Sequence, residues 1–303
     1  MLRQIGSQKL DRRSEPSGVT SANENVIQYD QVMCTKLAIA YAAGLDMIKR
    51  TRQGNVGGEA IDLACGPGHF SLSLLRFLNY EHLLGVDLSD PMIATATANA
   101  TQLDSSRKAD FIRGNITDLS SIESDRFALA SFTDAAHHMP DLDTVTGVLE
   151  EMERIVASEG LIFVMDLARL RTEKLTEYYV NTLASDYVER SLPGFFDDFR
   201  NSMYAAWTTG ELRSTIPATT KRNWCHIVPR GLPTLQFLLG LPEGRDKPFL
   251  RKGWSVHEHP LIMEWLPNWR ENVSEGWAKE TLSECRLTKT ALRFASCQLI
   301  RRV

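Results

Sequence analysis

Apolar and polar positions along this chain alternate with two different periods, and the succession of those periods predicts its elements. In residues 25–50, Val26, Tyr29, Met33, Leu37, Tyr41, Leu45 and Ile48 recur at helical spacing, which predicts one or two amphipathic helices. A glycine-rich break at 54–58 precedes Ala60-Ile61-Asp62-Leu63-Ala64, a short apolar run of strand type. Strands and helices then alternate: a helix over 69–78, a strand over 83–87, a helix over 89–99 with Pro91 in its first turn, and a strand over 109–114. A strand at 127–133 and a helix at 143–156, ended by Gly160, lead to Leu161-Ile162-Phe163-Val164-Met165-Asp166. That last run is apolar up to its final residue, as in a strand buried on both faces. The alternation predicts an α/β fold on a doubly wound, mostly parallel sheet with right-handed crossovers.

After Asp166 the pattern changes. Residues 172–190, 195–207 and 209–216 read as helices, and 223–228 and 234–239 as two strands joined by a Pro-Arg-Gly-Leu-Pro turn. The hairpin is expected to finish the sheet antiparallel. Residues 1–23 are polar and aperiodic and contain Pro16 and Gly18, which predicts a mobile tail. The expected organisation is therefore a tail at 1–23, a helical lid at 24–57 and a ligand-binding domain at 58–241. That domain carries a helical substrate cover inserted at about 171–216. A tryptophan-rich extension at 242–303 (Trp254, Trp265, Trp269, Trp277) carries no readable role.

Composition removes several function classes. The 303 residues carry a net charge of -4, from 34 basic and 38 acidic side chains, so nothing pulls the chain toward nucleic acid or an anionic membrane. No apolar run approaches the roughly 18 residues a membrane span needs. Arg12-Arg13 is followed by Ser14-Glu15-Pro16-Ser17 instead of the apolar stretch of an export signal, and a cytoplasmic protein is expected. The five cysteines (Cys34, Cys65, Cys225, Cys285, Cys297) are odd in number and lack a CxxC pair, which predicts reduced thiols. His257-Glu258-His259 has no third partner at a readable spacing, so no metal site is expected.

The chemistry is concentrated at Asp62-Leu63-Ala64-Cys65-Gly66-Pro67-Gly68 and at Asp87, which closes the next strand. A strand, glycine turn, helix and second strand ending in a carboxylate suit an adenosine ligand. Glycines let the backbone approach it, and the acid takes ribose hydroxyls. A dinucleotide site wants a third glycine, but the run continues His69-Phe70-Ser71. Asp62 also sits badly beside a pyrophosphate and well beside an ammonium or sulfonium group. S-adenosylmethionine carries both cations and no phosphate, so charge favours that cofactor.

These residues resemble the class I S-adenosylmethionine-dependent methyltransferases, whose fold is a Rossmann-like doubly wound sheet with a C-terminal antiparallel hairpin. Asp62 to Gly68 resembles their first motif, and Gly85-Val86-Asp87-Leu88-Ser89 with Pro91-Met92-Ile93 resembles their second. Residues 132–140, with His137-His138, are similar to the segment after their fourth strand, and 149–160 to the approach to the fifth. The flavour is that of the ubiquinone- and menaquinone-biosynthesis enzymes. The resemblance implies that Asp62 and the backbone of Ala64, Cys65, Gly66 and Gly68 hold the methionine part, while Asp87 binds the ribose. It places Leu88 and Met92 on the adenine face, Asn115 and Ile116 beside it, and Thr133 and Asp134 near the reactive methyl. Asn115 stands where the family often has aspartate, an amide in place of a carboxylate.

Methyl transfer is an in-line displacement, so positioning supplies much of the catalysis, and a base is needed only for a protonated nucleophile. Asp134, His137 and His138 follow the fourth strand on the side where open α/β sheets bind ligands, and are the catalytic candidates. Asp166, Asp198, Arg200, Asn201 and Tyr204 are the candidates for lining an acceptor pocket. Tyr29 and Asp30 belong to a helix expected to close over the cofactor. The expected activity is methyl transfer to oxygen, carbon or nitrogen of a small molecule. The alternatives are a protein or RNA methyltransferase, or a protein that binds S-adenosylmethionine without turnover. The acceptor and the oligomeric state leave no trace in the sequence.

Overall fold

The computed structural model describes residues 8–15, 23–33, 38–51, 57–189, 192–229, 234–245 and 295–300. Its eight strands are β1 (Glu59–Leu63), β2 (His82–Asp87), β3 (Ala109–Arg113), β4 (Phe127–Thr133), β5 (Val156–Leu167), β6 (Asn223–Pro229), β7 (Leu235–Leu241) and β8 (Ala295–Ile300). They form one sheet in the order β3-β2-β1-β4-β5-β7-β6-β8. The first five are parallel, and β7, β6 and β8 extend the sheet antiparallel. Chain order reverses between β1 and β4, so their carboxyl ends open the crevice where such sheets bind ligands. The expected fold is the one observed, with β8 as an added edge strand from the C-terminal extension. Trp254, Trp265, Trp269 and Trp277, like His257 and His259, lie outside the described residues.

Alternate strand residues feed opposite faces, which gives two cores. Leu129, Phe163 and Phe237 face α2 (Ala38–Thr51) and α3 (His69–Leu78), whose Leu45, Ile48, Phe70 and Leu74 are buried against them. Ala130, Ile162, Val164 and Leu238 face α5 (Leu142–Ile155) and α8 (Thr209–Ser214), through Val148, Leu149, Met152 and Leu212. The helix starts follow local chemistry. Ser89 caps α4 (Asp90–Gln102), Asp141 caps α5, and Thr208 with Glu211 forms a capping box on α8.

Three readings are corrected. The α5 helix ends at Ile155, within one residue of the expected 156, but Gly160 is not its stop: β5 begins at once with Val156 opposite Phe127, ahead of the expected start at Leu161. The register then shifts, because residues 157–160 loop out of the pairing before Leu161 meets Leu129. Gly160 is needed there for closeness, since a Cβ would lie 2.5 Å from Val156 and 2.9 Å from the Phe127 carbonyl. Arg222 supports the loop by donating to the carbonyls of Val156, Ala157 and Gly160.

Residues 8–15 do not behave as part of a mobile tail. Leu10 is buried, Lys9 N–H donates to Arg171 and Arg13 N–H to Tyr204. The Arg12 guanidinium lies 3.8 Å from the centre of the Trp207 ring and donates to the carbonyls of His137, Met139, Pro140 and Ala205. Five donors in a planar fork suit this convergence of carbonyls, which a polar, aperiodic sequence does not reveal. Finally, Cys225 on β6 is disulfide-bonded, so the expectation of reduced thiols fails there; Cys65 is a free, buried thiol. No described helix is long and apolar enough to cross a membrane.

Candidate functional site

The site begins where β1 runs out. Ala64, Gly66 and Gly68 all take left-handed backbone angles (φ 53°, 52° and 79°), turning the chain sharply into α3. Gly68 needs its missing side chain as well, because a Cβ would lie 3.0 Å from both Ala96 and Phe111. Beside Gly66 there is room: the atom nearest to a hypothetical Cβ is Tyr29 Cε1 at 3.9 Å. Tyr29 thus roofs the turn, carried by α1 (Asn23–Met33). Asp30 bolts that helix down by accepting from Asn99 Nδ2 at 2.9 Å and pairing with His69 Nε2 at 2.8 Å. Asn99 also donates to the Pro67 carbonyl, which ties α4 to the turn.

Two carboxylates frame this turn differently. Asp87, at the end of β2, accepts from the backbone N–H of Gly66 and of Ser89, each at 2.9 Å. It therefore shapes the turn while remaining partly open. Asp62 is buried, and its two oxygens accept from Ser71 Oγ at 2.5 Å and Ser131 Oγ at 2.6 Å. Burial pushes its carboxyl up to about 6, against the help of the two hydroxyls and with a further push from Asp87. An acid whose pKa is raised by folding binds its proton more tightly in the native state. Its contribution is thus intact at low pH and is lost as pH rises through about 6. Asp62 should make the fold roughly 3 kcal/mol less stable at pH 8 than at pH 4. In Asp62→Asn that part of the pH dependence should vanish in urea melts; an unchanged slope would refute the assignment.

The remaining cofactor candidates gather around the same turn. Met92 and Ile116 are buried, and Leu88 is 66% exposed at the rim, an unusual position for a leucine with no partner to cover. Asn115 uses its side-chain oxygen to accept from Thr117 N and Oγ1, which closes a local turn after β3. Thr133 is buried at the end of β4. Burial, then Asp134, Asp198, Asp87 and Glu15, push the Tyr29 phenol well above its usual range. Burial, then Asp62 and Asp87, do the same to the Cys65 thiol. The neighbouring charges are thus carboxylates, which suits a cationic, phosphate-free ligand such as S-adenosylmethionine.

The catalytic candidates follow directly. Asp134 is another non-glycine residue with left-handed backbone (φ 50°), at the end of the strand next to β1. Such strain persists where the surroundings enforce it, and it collects at functional sites. Burial, then the charge of Asp166, raise its carboxyl to about 7. Residues 136–138 form one short helical turn. Its His137 is buried and bonds through Nδ1 to Asp166 at 2.6 Å. Burial opposes the imidazolium, but Asp166 outweighs it and holds His137 up to about 9.

Asp166, expected to line the acceptor pocket, lies fully buried behind His137, where it also accepts from Leu167 N–H. Its Oδ1 is thus committed to His137 and to the backbone of Leu167. Arg169, its alternative partner, pairs with Glu211.

His138 lies beside it, with ring centroids 4.2 Å apart, and is hydrogen-bonded through Nδ1 to Glu15, whose other oxygen accepts from Ser202 at 2.6 Å. Burial works against the Glu15 carboxylate, yet His138, His137 and Ser202 pull it down to about 2. Ser202 and the buried Asp198 sit one turn apart on α7 (Pro193–Ala205). Arg200 turns outward to Glu177, which also accepts from the Tyr204 hydroxyl at 2.6 Å. With Asn201, Arg13 and Ser14, Arg200 and Tyr204 line a small pocket. Asp198 is therefore grouped with the histidines, whereas Arg200, Asn201 and Tyr204 belong to this second pocket.

Sequence reasoning missed Glu15, Arg12, Ser71, Ser131 and Asn99. Glu15 reaches His138 across 123 positions of chain, and no local pattern announces such a contact. Arg12→Ala removes the bonds that hold residues 8–15 in place and should cost roughly 1–3 kcal/mol in urea unfolding. It should also make this segment the first site of limited proteolysis, and wild-type cleavage kinetics would contradict the assigned anchor.

This topology is that of the class I methyltransferase fold. A family model described as a methyltransferase domain matches residues 60–160, the part of the chain that holds the glycine turn, Asp87 and the histidines. Two Synechococcus proteins, one from Synechococcus elongatus, are 2-phytyl-1,4-naphtoquinone methyltransferases 26% identical to this chain over 123 residues. The match covers 40% of this chain, and the chain spans about half (51%) of the length of those curated relatives. Among solved structures, a proposed S-adenosyl-L-methionine-dependent methyltransferase of Methanococcus maripaludis superposes with a TM-score of 0.56 at 16% identity, covering 77% of this chain and 99% of that one. A proposed O-methyltransferase of Nostoc punctiforme gives 0.52 at 15% identity, over 71% and 59% of the two chains.

Proposed function

We propose that this chain is an S-adenosylmethionine-dependent methyltransferase acting on a small-molecule acceptor. The observation that carries the reading is the open left-handed turn at Gly66, braced by Asp87, roofed by Tyr29 and surrounded by carboxylates. In this reading Asp87 takes the ribose hydroxyls, Leu88, Met92, Asn115 and Ile116 flank the adenine, and the backbone of residues 64–68 holds the methionine part. Asp62 holds β4 and α3 to the turn through its two serines and adds negative charge beneath the sulfonium. The cofactor, when bound, supplies an electrophilic methyl carbon on sulfur.

The chain's own residues do the rest. Thr133 and Asp134 border the methyl, and Tyr29 with α1 excludes water from above. Asp134, held up to about 7, is the group that would receive a proton when the acceptor starts protonated, with His138 as the second candidate. The similarity to naphthoquinone methyltransferases favours a small ring compound as acceptor over a macromolecule. So does the net charge of -4, since phosphate backbones are recognised by clustered cations.

Calorimetry with S-adenosylhomocysteine tests the cofactor, and incubation of a cell extract with methyl-labelled S-adenosylmethionine tests the transfer. Label in small metabolites is expected. Label in protein or RNA would replace the acceptor class, and cofactor binding without any label would reduce the chain to a binding protein.

A further inference from the structure

Glu15, His137 and His138 come from two separate parts of the chain, the anchored segment 8–15 and the turn after β4, and their ligand atoms lie together. His137 Nε2 lies 3.9 Å from Glu15 Oε1, and His138 Nδ1 contacts Glu15 Oε2. One ligand atom from each of these three residues falls within 4.8 Å of the others. Four-coordinate zinc with bonds near 2.0–2.1 Å requires ligand atoms about 3.3 Å apart, so small side-chain rotations bring these three into range.

The surroundings are those of a metal centre. His137 bonds its Nδ1 to the fully buried Asp166, which leaves Nε2 facing Glu15. A carboxylate behind a histidine is the usual device for fixing the tautomer and ring direction of a metal ligand. Asp198 supplies an independent observation. It is 7% exposed, its Oδ1 is buried without a hydrogen-bond partner, and the charges bearing on it are Glu15, His138, His137 and Asp197. It shares a helix face, four residues away, with Ser202, whose hydroxyl reaches Glu15.

We propose that Glu15, His137 and His138 form a binding site for a divalent first-row transition-metal ion, with the buried Asp198 on the neighbouring helix adding negative charge nearby. Imidazole donors mixed with a carboxylate suit zinc, iron(II), cobalt(II) or manganese(II) and not magnesium or calcium, which favour oxygen alone. The ion would lock residues 8–15 against the turn after β4 through Glu15, since Arg12 already anchors that segment three residues earlier. The site stands on its own ligands and does not depend on the methyltransferase reading. Spacing along the sequence could not show it, because Glu15 and His138 are 123 positions apart.

Cobalt(II) is the probe, added to the untagged, chelator-stripped full chain at neutral pH and followed by its visible d–d absorption and by calorimetry. One equivalent is expected to bind, and zinc is expected to displace it. Glu15→Gln and His138→Ala should each weaken cobalt binding about 100-fold, and Asp166→Asn about 10-fold through the misoriented imidazole. His138 is partly exposed, and Glu15→Gln keeps the size and hydrogen-bonding capacity of a mostly buried side chain, so both variants should stay folded, with melting curves close to wild type in the presence of chelator. No cobalt signal in the wild type would overturn the proposal. So would wild-type affinity in both variants, which would assign the metal to histidines elsewhere in the chain. S-adenosylhomocysteine affinity measured on the stripped samples separates the two readings: its absence sinks the proposed function and leaves the metal result standing.

Discussion

Asp87→Ala is expected to weaken S-adenosylhomocysteine binding by roughly 100-fold, because two hydroxyl hydrogen bonds to a carboxylate are each worth about 1.5–3 kcal/mol. The same change removes the acceptor of the Gly66 and Ser89 N–H groups, so part of the loss comes from a looser turn. Asp87→Asn separates the effects. It keeps one acceptor for the turn but carries no charge, and should recover fold stability while leaving most of the affinity lost. Calorimetric titration of the three proteins makes the comparison. Wild-type affinity in the alanine variant would remove the ribose from this position and with it the main support for an adenosine cofactor.

The second large effect is expected at Asp166. Its removal leaves His137 buried without its carboxylate, and breaking a buried pair this way costs about 3–5 kcal/mol. The pH dependence has a definite sign. His137 is raised to about 9 in the folded chain, so its stabilising contribution is complete below the unfolded value near 6.5 and is lost as pH climbs through 9. Asp166→Ala should therefore be most destabilised near pH 6 and approach wild type near pH 10. Chelator-treated protein is the right sample, since His137 must be free to take a proton. A cost that does not change with pH would mean that Asp166 contributes only packing. Asp166→Asn, which preserves volume and a hydrogen bond, should show the same pH trend with a smaller amplitude.

How much of this was legible before the structure differs by residue type. The elements of the sheet were readable because a strand buried on both faces, such as Leu161 to Met165, and a helix with one apolar stripe, such as α5, each carry their environment in their own periodicity. The role of Gly160 was not readable: it looks like a helix stop, whereas it serves a bulge held by Arg222 from 62 residues away. Asp62 was readable as a special acid because a carboxylate inside an apolar strand is out of place. Its two serine partners were not readable, since Ser71 and Ser131 are unremarkable in their own segments.

Asp166 shows the limit most directly. The residue was singled out by its place at the end of an apolar strand, yet its direction depends on where β4 sets down His137. The two histidines are legible as a pair, but not their partners: both rings face Glu15, and only His137 is backed by Asp166.

By itself the sequence determined the order of strands and helices, the left-handed turn at Gly66 and Gly68 and the carboxylate that closes β2. These depend on residues within a few positions of each other, where backbone sterics and periodic burial act directly. The tertiary structure alone decided that residues 8–15 pack against the turn after β4 and the end of α7, that Asp166 stands behind His137, and that Glu15 meets both histidines. Those contacts join segments far apart in the chain. Their energy comes from pairing charges that burial has stripped of water, a quantity that does not exist until the fold has closed around them.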